Sequence, residues 1–178
     1  MKKSLQIVGG LIAIFILFGL FLGNSYHIER QITINASRGE IHALVNDLTQ
    51  WPKWAPWLEM DPTIKVDLGE VTSGVGAHQK WTSERDDPGA LTFTAASEEN
   101  GIAYDLFFGK PGEMDKSEAK ITYHQEDPND PDRITVTWRM DGAVETPIIG
   151  PYISVLVEYM VPGMFDRGLE KLKIAAEK

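Results

Sequence analysis

The sequence has no cysteine. Disulfides, thiolate metal sites, a cysteine nucleophile and cysteine-linked lipid anchors are therefore excluded. Basic residues are scarce: 17 Lys and Arg stand against 26 Asp and Glu, for a formal net charge of -9, and no basic run exceeds Lys2-Lys3. Nucleic-acid binding needs a positive footprint to displace counterions, so no nucleic-acid partner is expected. There is no Gly-x-Ser-x-Gly nucleophile elbow. The four histidines, His27, His42, His78 and His124, form no metal-ligand spacing. Each reads as solvent-facing, and neither a metal nor a cofactor is implied. Gly74-Val75-Gly76 is followed by no helical pattern, so it reads as a turn and not a phosphate loop. The carboxylate pairs Asp86-Asp87 and Glu98-Glu99 fall in turns and read as solvated loop charge.

What is abundant at the start is apolar. Ile7 to Gly23 carries no charge and follows Lys2-Lys3. As a helix it reaches about 25 Å, just short of the ~30 Å hydrocarbon core, and Leu5 and Gln6 can extend it. The rival is a signal peptide cleaved after Ser25, but the run exceeds the usual apolar region of one. The expectation is a transmembrane anchor over residues 1–25, with membrane contact through residues 7–23, and one domain over residues 26–178. By the positive-inside rule the anchor sits in the cell inner membrane with the C-terminal domain on the extracytoplasmic side. Tyr26 is placed at the interface as an aromatic anchor.

Beyond the anchor, Ile28, Arg30, Ile32 and Ile34 alternate with polar residues as a strand. Ser37 and Glu40 have capping-box spacing, and Ile41, Leu44, Val45 and Leu48 repeat at helical spacing. Further strands are expected near 63–68, 79–83, 90–97, 102–108, 117–126 and 133–140, with a loop over 109–116. From Met164 on, Phe165, Leu169, Leu172 and Ala176 share a helical face, so a C-terminal helix is expected, bent or interrupted at Pro162-Gly163. The order strand, short helix, antiparallel strands, long helix is an α+β fold.

Three of the five tryptophans, Trp51, Trp54 and Trp57, fall within seven residues. Pro52 and Pro56 between them disfavour a regular helix. The indoles either plug a core or line the mouth of a cavity, and one ring can do both.

The run Arg30-Gln31-Ile32-Thr33-Ile34-Asn35-Ala36-Ser37, the helix ending Asn46-Asp47-Leu48, and the tryptophan loop leading to Asp61-Pro62 come in a telling order. Gly74-Val75-Gly76, Thr137-Trp138-Arg139-Met140 and Phe165-Asp166-Arg167-Gly168-Leu169-Glu170-Lys171-Leu172 follow. Together they resemble the START-like, Bet v 1-like superfamily, also called SRPBCC or polyketide cyclase/dehydrase-like. The resemblance implies a helix-grip fold, a curved antiparallel sheet around a long C-terminal helix, here preceded by a single hydrophobic helix. It also implies a cavity for apolar ligands, and it carries over no catalytic residue.

On that view Trp81, Phe93, Tyr104, Phe108, Tyr123, Trp138 and Met140 converge on the concave face, joined by Trp51, Trp54 and Trp57, as ligand-binding residues. A filled core is the rival arrangement. The expected function is binding of a hydrophobic small molecule or lipid by a membrane-anchored domain. The alternatives are a cyclase or dehydratase using Tyr104, Tyr123 or a carboxylate, and an interaction module that docks a partner on exposed tryptophans.

Overall fold

Alternating side chains and one reciprocal helix cap build the first third of the domain. In the computed structural model, which describes residues 2–109 and 115–178 (side chains from residue 6), β1 (Ser25–Asn35) buries Tyr26, Ile28 and Ile34. Ser37 then starts α2 (Arg38–Val45). Its hydroxyl accepts from the Glu40 N–H at 3.3 Å, and the Glu40 carboxylate accepts from the Ser37 N–H at 2.9 Å. This satisfies two donors that a helix start leaves open. α2 buries Ile41 and Val45. The tryptophan segment folds as a 3-10 turn over Trp51–Lys53 and a single turn, α3 (Trp57–Met60), with the prolines where a missing N–H costs little.

Next comes an antiparallel meander: β2 (Lys65–Leu68), β3 (His78–Thr82), β4 (Gly89–Ser97), β5 (Gly101–Phe108), β6 (Asp115–Asp127) and β7 (Asp130–Ala143). β1 pairs with β7, giving one seven-stranded sheet in the order β1-β7-β6-β5-β4-β3-β2. The β4–β5 turn depends on Gly101, whose φ is +86° and whose added Cβ would lie 1.9 Å from the Ile121 carbonyl oxygen. The loop expected over 109–116 falls mainly on residues outside those described.

The C-terminal helix differs from expectation. α4 runs unbroken from Gly150 to Ala176, with Pro162 inside it. Pro151 sits in the first turn, where its lost donor is one the helix leaves free anyway. Pro162 removes a helix hydrogen bond and Gly163 adds flexibility, so local propensity argues for a break. Packing overrides it. Ser154 in the first half and Phe165, Gly168, Leu169 and Leu172 in the second half are buried, and the helix lies mainly along β1. The curved sheet closed by α4 is the helix-grip arrangement, and the core lies between them.

The N-terminal part also departs from the sequence reading. α1 spans Lys2–Gly19 and ends before Gly23, and among the described residues no helix is long and apolar enough to cross a membrane. Tyr26 is not an interfacial anchor. It is buried, and its hydroxyl shares a 2.6 Å hydrogen bond with the Ser117 hydroxyl of β6. The β1 parity that buries Ile28 necessarily turns Tyr26 the same way. Asn24 is tied as well: its carbonyl accepts from the Val144 N–H and from the Ser154 hydroxyl. Phe15 of α1 stacks on Tyr152 of α4, with ring centroids 4.2 Å apart.

Because Pro162 is held in place by tertiary contacts and not by propensity, Pro162→Ala raises folding stability by roughly 1–3 kcal/mol. Urea denaturation checks this; an unchanged or lower midpoint would mean that the proline fits α4 without cost.

Candidate functional site

The middle of the concave face is not filled. A cavity of about 340 Å³ lies between the sheet, the tryptophan segment and α4. That is within the size range of small-molecule sites, at its lower end. Strand parity supplies the floor. Gln79 and Trp81 of β3, Leu91 of β4, Tyr104, Leu106 and Phe108 of β5, and Trp138 and Met140 of β7 all face inward. Trp51 and Trp57 close one side, and Val161, Met164 and Phe165 of α4 close another. The cavity opens where Val66, Asp86, Asp87 and Phe108 are exposed.

Of the ten residues expected at a ligand site, Trp51, Trp57, Trp81, Tyr104, Phe108, Trp138 and Met140 are brought together on this cavity. Trp54, Phe93 and Tyr123 are not. Trp54 is fully buried and its indole N–H donates to the Leu44 carbonyl at 3.0 Å. The Trp51 indole N–H donates likewise to the Val45 carbonyl at 2.8 Å. Two tryptophans thus satisfy carbonyls that the last turn of α2 leaves open. Phe93 packs behind the cavity against Trp51 and Tyr104, at centroid distances of 5.7 and 5.9 Å. Tyr123 lies toward α2, edge-on to His42 at 5.9 Å. Trp51 and Trp54 are buried and Trp57 half-buried, so the three indoles do not form one exposed surface.

Trp138 is the hub of the aromatic cluster. Phe165 stacks on it at 4.1 Å, Trp54 and Trp57 meet it edge-on, and its indole N–H donates to the Tyr104 hydroxyl at 2.9 Å. Gly168 of α4 allows this approach: a Cβ there would lie 2.8 Å from the Trp138 ring and 3.1 Å from Pro56. Burial pushes the Tyr104 phenol up, and its hydrogen bond from Trp138 opposes that.

The cavity has few polar groups, and Gln79 and the Ser83–Asp61 pair are two features that the motifs in the sequence do not mark. Gln79 is buried and lines the cavity, and no hydrogen bond joins its carboxamide to another described residue. Its parity with Trp81 was the available signal. Behind the lining residue Ser83, Asp61 is also buried and accepts from the Ser83 hydroxyl at 2.5 Å and the Thr63 hydroxyl at 2.7 Å. Those bonds, the Ser83 one foremost, hold its carboxyl below the ordinary range, and Arg85 stands 3.8 Å away. Ser83 lines the cavity but spends its proton on Asp61, and its oxygen accepts from the Arg85 and Asp86 N–H groups. No group of three His, Asp or Glu side chains could hold a metal ion among the described residues.

His42 is not solvent-facing as its helical position suggested. It is half-buried, and its Nδ1 lies 3.3 Å from the Tyr123 hydroxyl. Burial lowers its pKa, with Glu98 opposing. A group whose folded pKa is depressed contributes stability above its unfolded pKa, about 6.5 for histidine, and loses it as pH falls through the folded value. Stability should therefore decline from pH 7 toward pH 5, and His42→Gln should flatten that decline. Urea midpoints across this range provide the check; parallel slopes for the two proteins would refute it.

Comparison with known proteins places this geometry. No curated protein matches the chain. Among solved structures, protein CV1439 from Chromobacterium violaceum superposes with a TM-score of 0.57 at 15% identity, covering 87% of this chain and 98% of that one. Ara h 8.0201 superposes at 0.54 and 14% identity, over 83% and 97%. The di-domain ARO/CYC protein BexL from the BE-7585A biosynthetic pathway superposes at 0.55 and 14% identity, over 87% of this chain and 51% of that one. At these identities the likeness is one of fold. Residues 25–177, which take in the whole sheet and α4, match the family described as polyketide cyclase / dehydrase and lipid transport, and the chain belongs to that family.

Proposed function

We propose that this protein holds a hydrophobic small molecule or lipid in the cavity under α4, and that residues 7–23 keep it at a membrane. The observation that carries the reading is an aromatic-walled space of about 340 Å³ left open inside an otherwise filled core. Apolar burial would supply most of the affinity, at roughly 25 cal/mol per Å². The family description covers both binding and cyclase or dehydrase chemistry. Binding is favoured here by the titratable groups that line the cavity. Among the described residues these are Tyr104, whose pKa burial raises, and Asp86 and Asp87 at the exposed mouth.

The membrane part rests on the uncharged run and on exposure. Ile7, Leu11, Ile14 and Phe18 of α1 are all exposed, as are Leu20 and Phe21 after it. Ile153, Leu156 and Met160 in the first half of α4 are exposed too. A short apolar stretch is accommodated by local thinning of the bilayer. Lys2-Lys3 then orients the chain in the cell inner membrane with the domain outside the cytoplasm.

Two measurements test this. The full chain should enhance the fluorescence of the uncharged probe N-phenyl-1-naphthylamine, and Leu106→Trp, which fills the cavity, should reduce that enhancement at least about tenfold, the factor set by losing some 1.4 kcal/mol. Equal signals from the two proteins would sink the binding reading. In vesicle flotation the full chain should rise with the lipid and the Ile14→Arg/Phe18→Arg variant should not; equal flotation of both would sink the anchor.

A further inference from the structure

We infer that Gln79 is the polar anchor of the cavity and selects an uncharged apolar ligand bearing an amide, or a like pairing of carbonyl and donor, over a carboxylate. This rests on the cavity being a binding site.

A carboxamide offers two donors and an acceptor on one flat edge. Buried polar groups in folded proteins are nearly always hydrogen-bonded, so a carboxamide that lines a cavity without a protein partner takes its bonds from what fills the cavity. Gln79 is 3% exposed, pairs with Leu91 across the β3–β4 ladder and lines the cavity, and no hydrogen bond joins its carboxamide to another described residue. Most of the side chains that share this lining with it are apolar. A ligand amide laid edge to edge against it would satisfy both functions of each group at once. A hydrocarbon would satisfy neither.

The charge around the cavity sets the second half of the preference. Among the described lining residues there is no lysine, arginine or histidine, while Asp86 and Asp87 stand at the mouth. Arg85, the nearby cation, is turned to the ionised Asp61. A carboxylate would meet like charge on entry and find no cation inside, which disfavours it strongly. The Tyr104 hydroxyl, which accepts from Trp138, offers a second neutral contact and no charge.

The test uses the full chain at neutral pH, with N-phenyl-1-naphthylamine as the bound reporter and Leu106→Trp as the blank for partition into detergent. Naphthalene, 2-naphthamide and 2-naphthoate share one ring system and compete for the reporter. The amide should displace it at about tenfold lower concentration than naphthalene, consistent with hydrogen bonds formed in a buried site. The naphthoate should be the weakest of the three. Gln79→Leu and Gln79→Met should each remove the amide advantage while naphthalene competes as before, which also shows that the variants are folded. Asp86→Asn/Asp87→Asn should strengthen the naphthoate alone. An amide no better than naphthalene, or an advantage that survives both Gln79 variants, overturns the assignment and leaves the cavity reading standing. Failure of the unaltered chain to bind the reporter overturns both.

Discussion

Everything around the cavity is positioned by the contact between Trp138 and the second half of α4. The indole stacks flat on Phe165, and Gly168 is bare enough to let the helix backbone settle beside the ring. The same indole touches Trp54 and Trp57 from the tryptophan segment and holds Tyr104 through its N–H. Sheet, helix and loop therefore meet on one side chain. Interiors are packed as densely as organic crystals, so a fixed point of this kind sets the separation of the surfaces on either side. Toward α2 the surfaces close, and Tyr123, Phe93 and Trp54 fill the gap. Toward β2 and β3 they diverge, and the space between Trp81, Leu106 and Met164 stays open.

The tryptophan segment shows how one short stretch serves two ends. Trp51 and Trp54 spend their N–H groups on the last carbonyls of α2, which locks the segment to that helix. Trp57, three residues on, is half-buried and faces the cavity. The rigid anchor and the adaptable wall are thus neighbours in sequence, which keeps the wall in place without filling the site.

Much of this could be read from the residues. Period-two alternation marks the strands, and the spacing of Ser37 and Glu40 marks the start of α2, because both signals are local. The face of each strand residue was legible too, since parity decides it. Position along the face was not. Phe93 and Tyr123 share the inward parity of Tyr104 and Trp138, yet they sit where the sheet is covered, and only the path of α4 and α2 decides that. The length of α4 was hidden because Pro162 and Gly163 are helix breakers on any local scale, and long-range packing outweighs them. Tyr26 was misplaced because an aromatic residue after an apolar run suits an interface as well as it suits a core. Gln79 went unnoticed because a polar residue in a strand is ordinarily assigned to the solvent side, although its parity with Trp81 turns it inward.

The fastening of Asn24 and Tyr26 has a mechanical result. α1 ends at Gly19, and by Asn24 the backbone is already pinned to Val144 and Ser154. Five residues at about 3.5 Å each give a leash no longer than roughly 17 Å, and much of it is a turn. On so short a leash the domain cannot tumble freely about the end of α1. The direction in which the mouth of the cavity looks is therefore set relative to that helix.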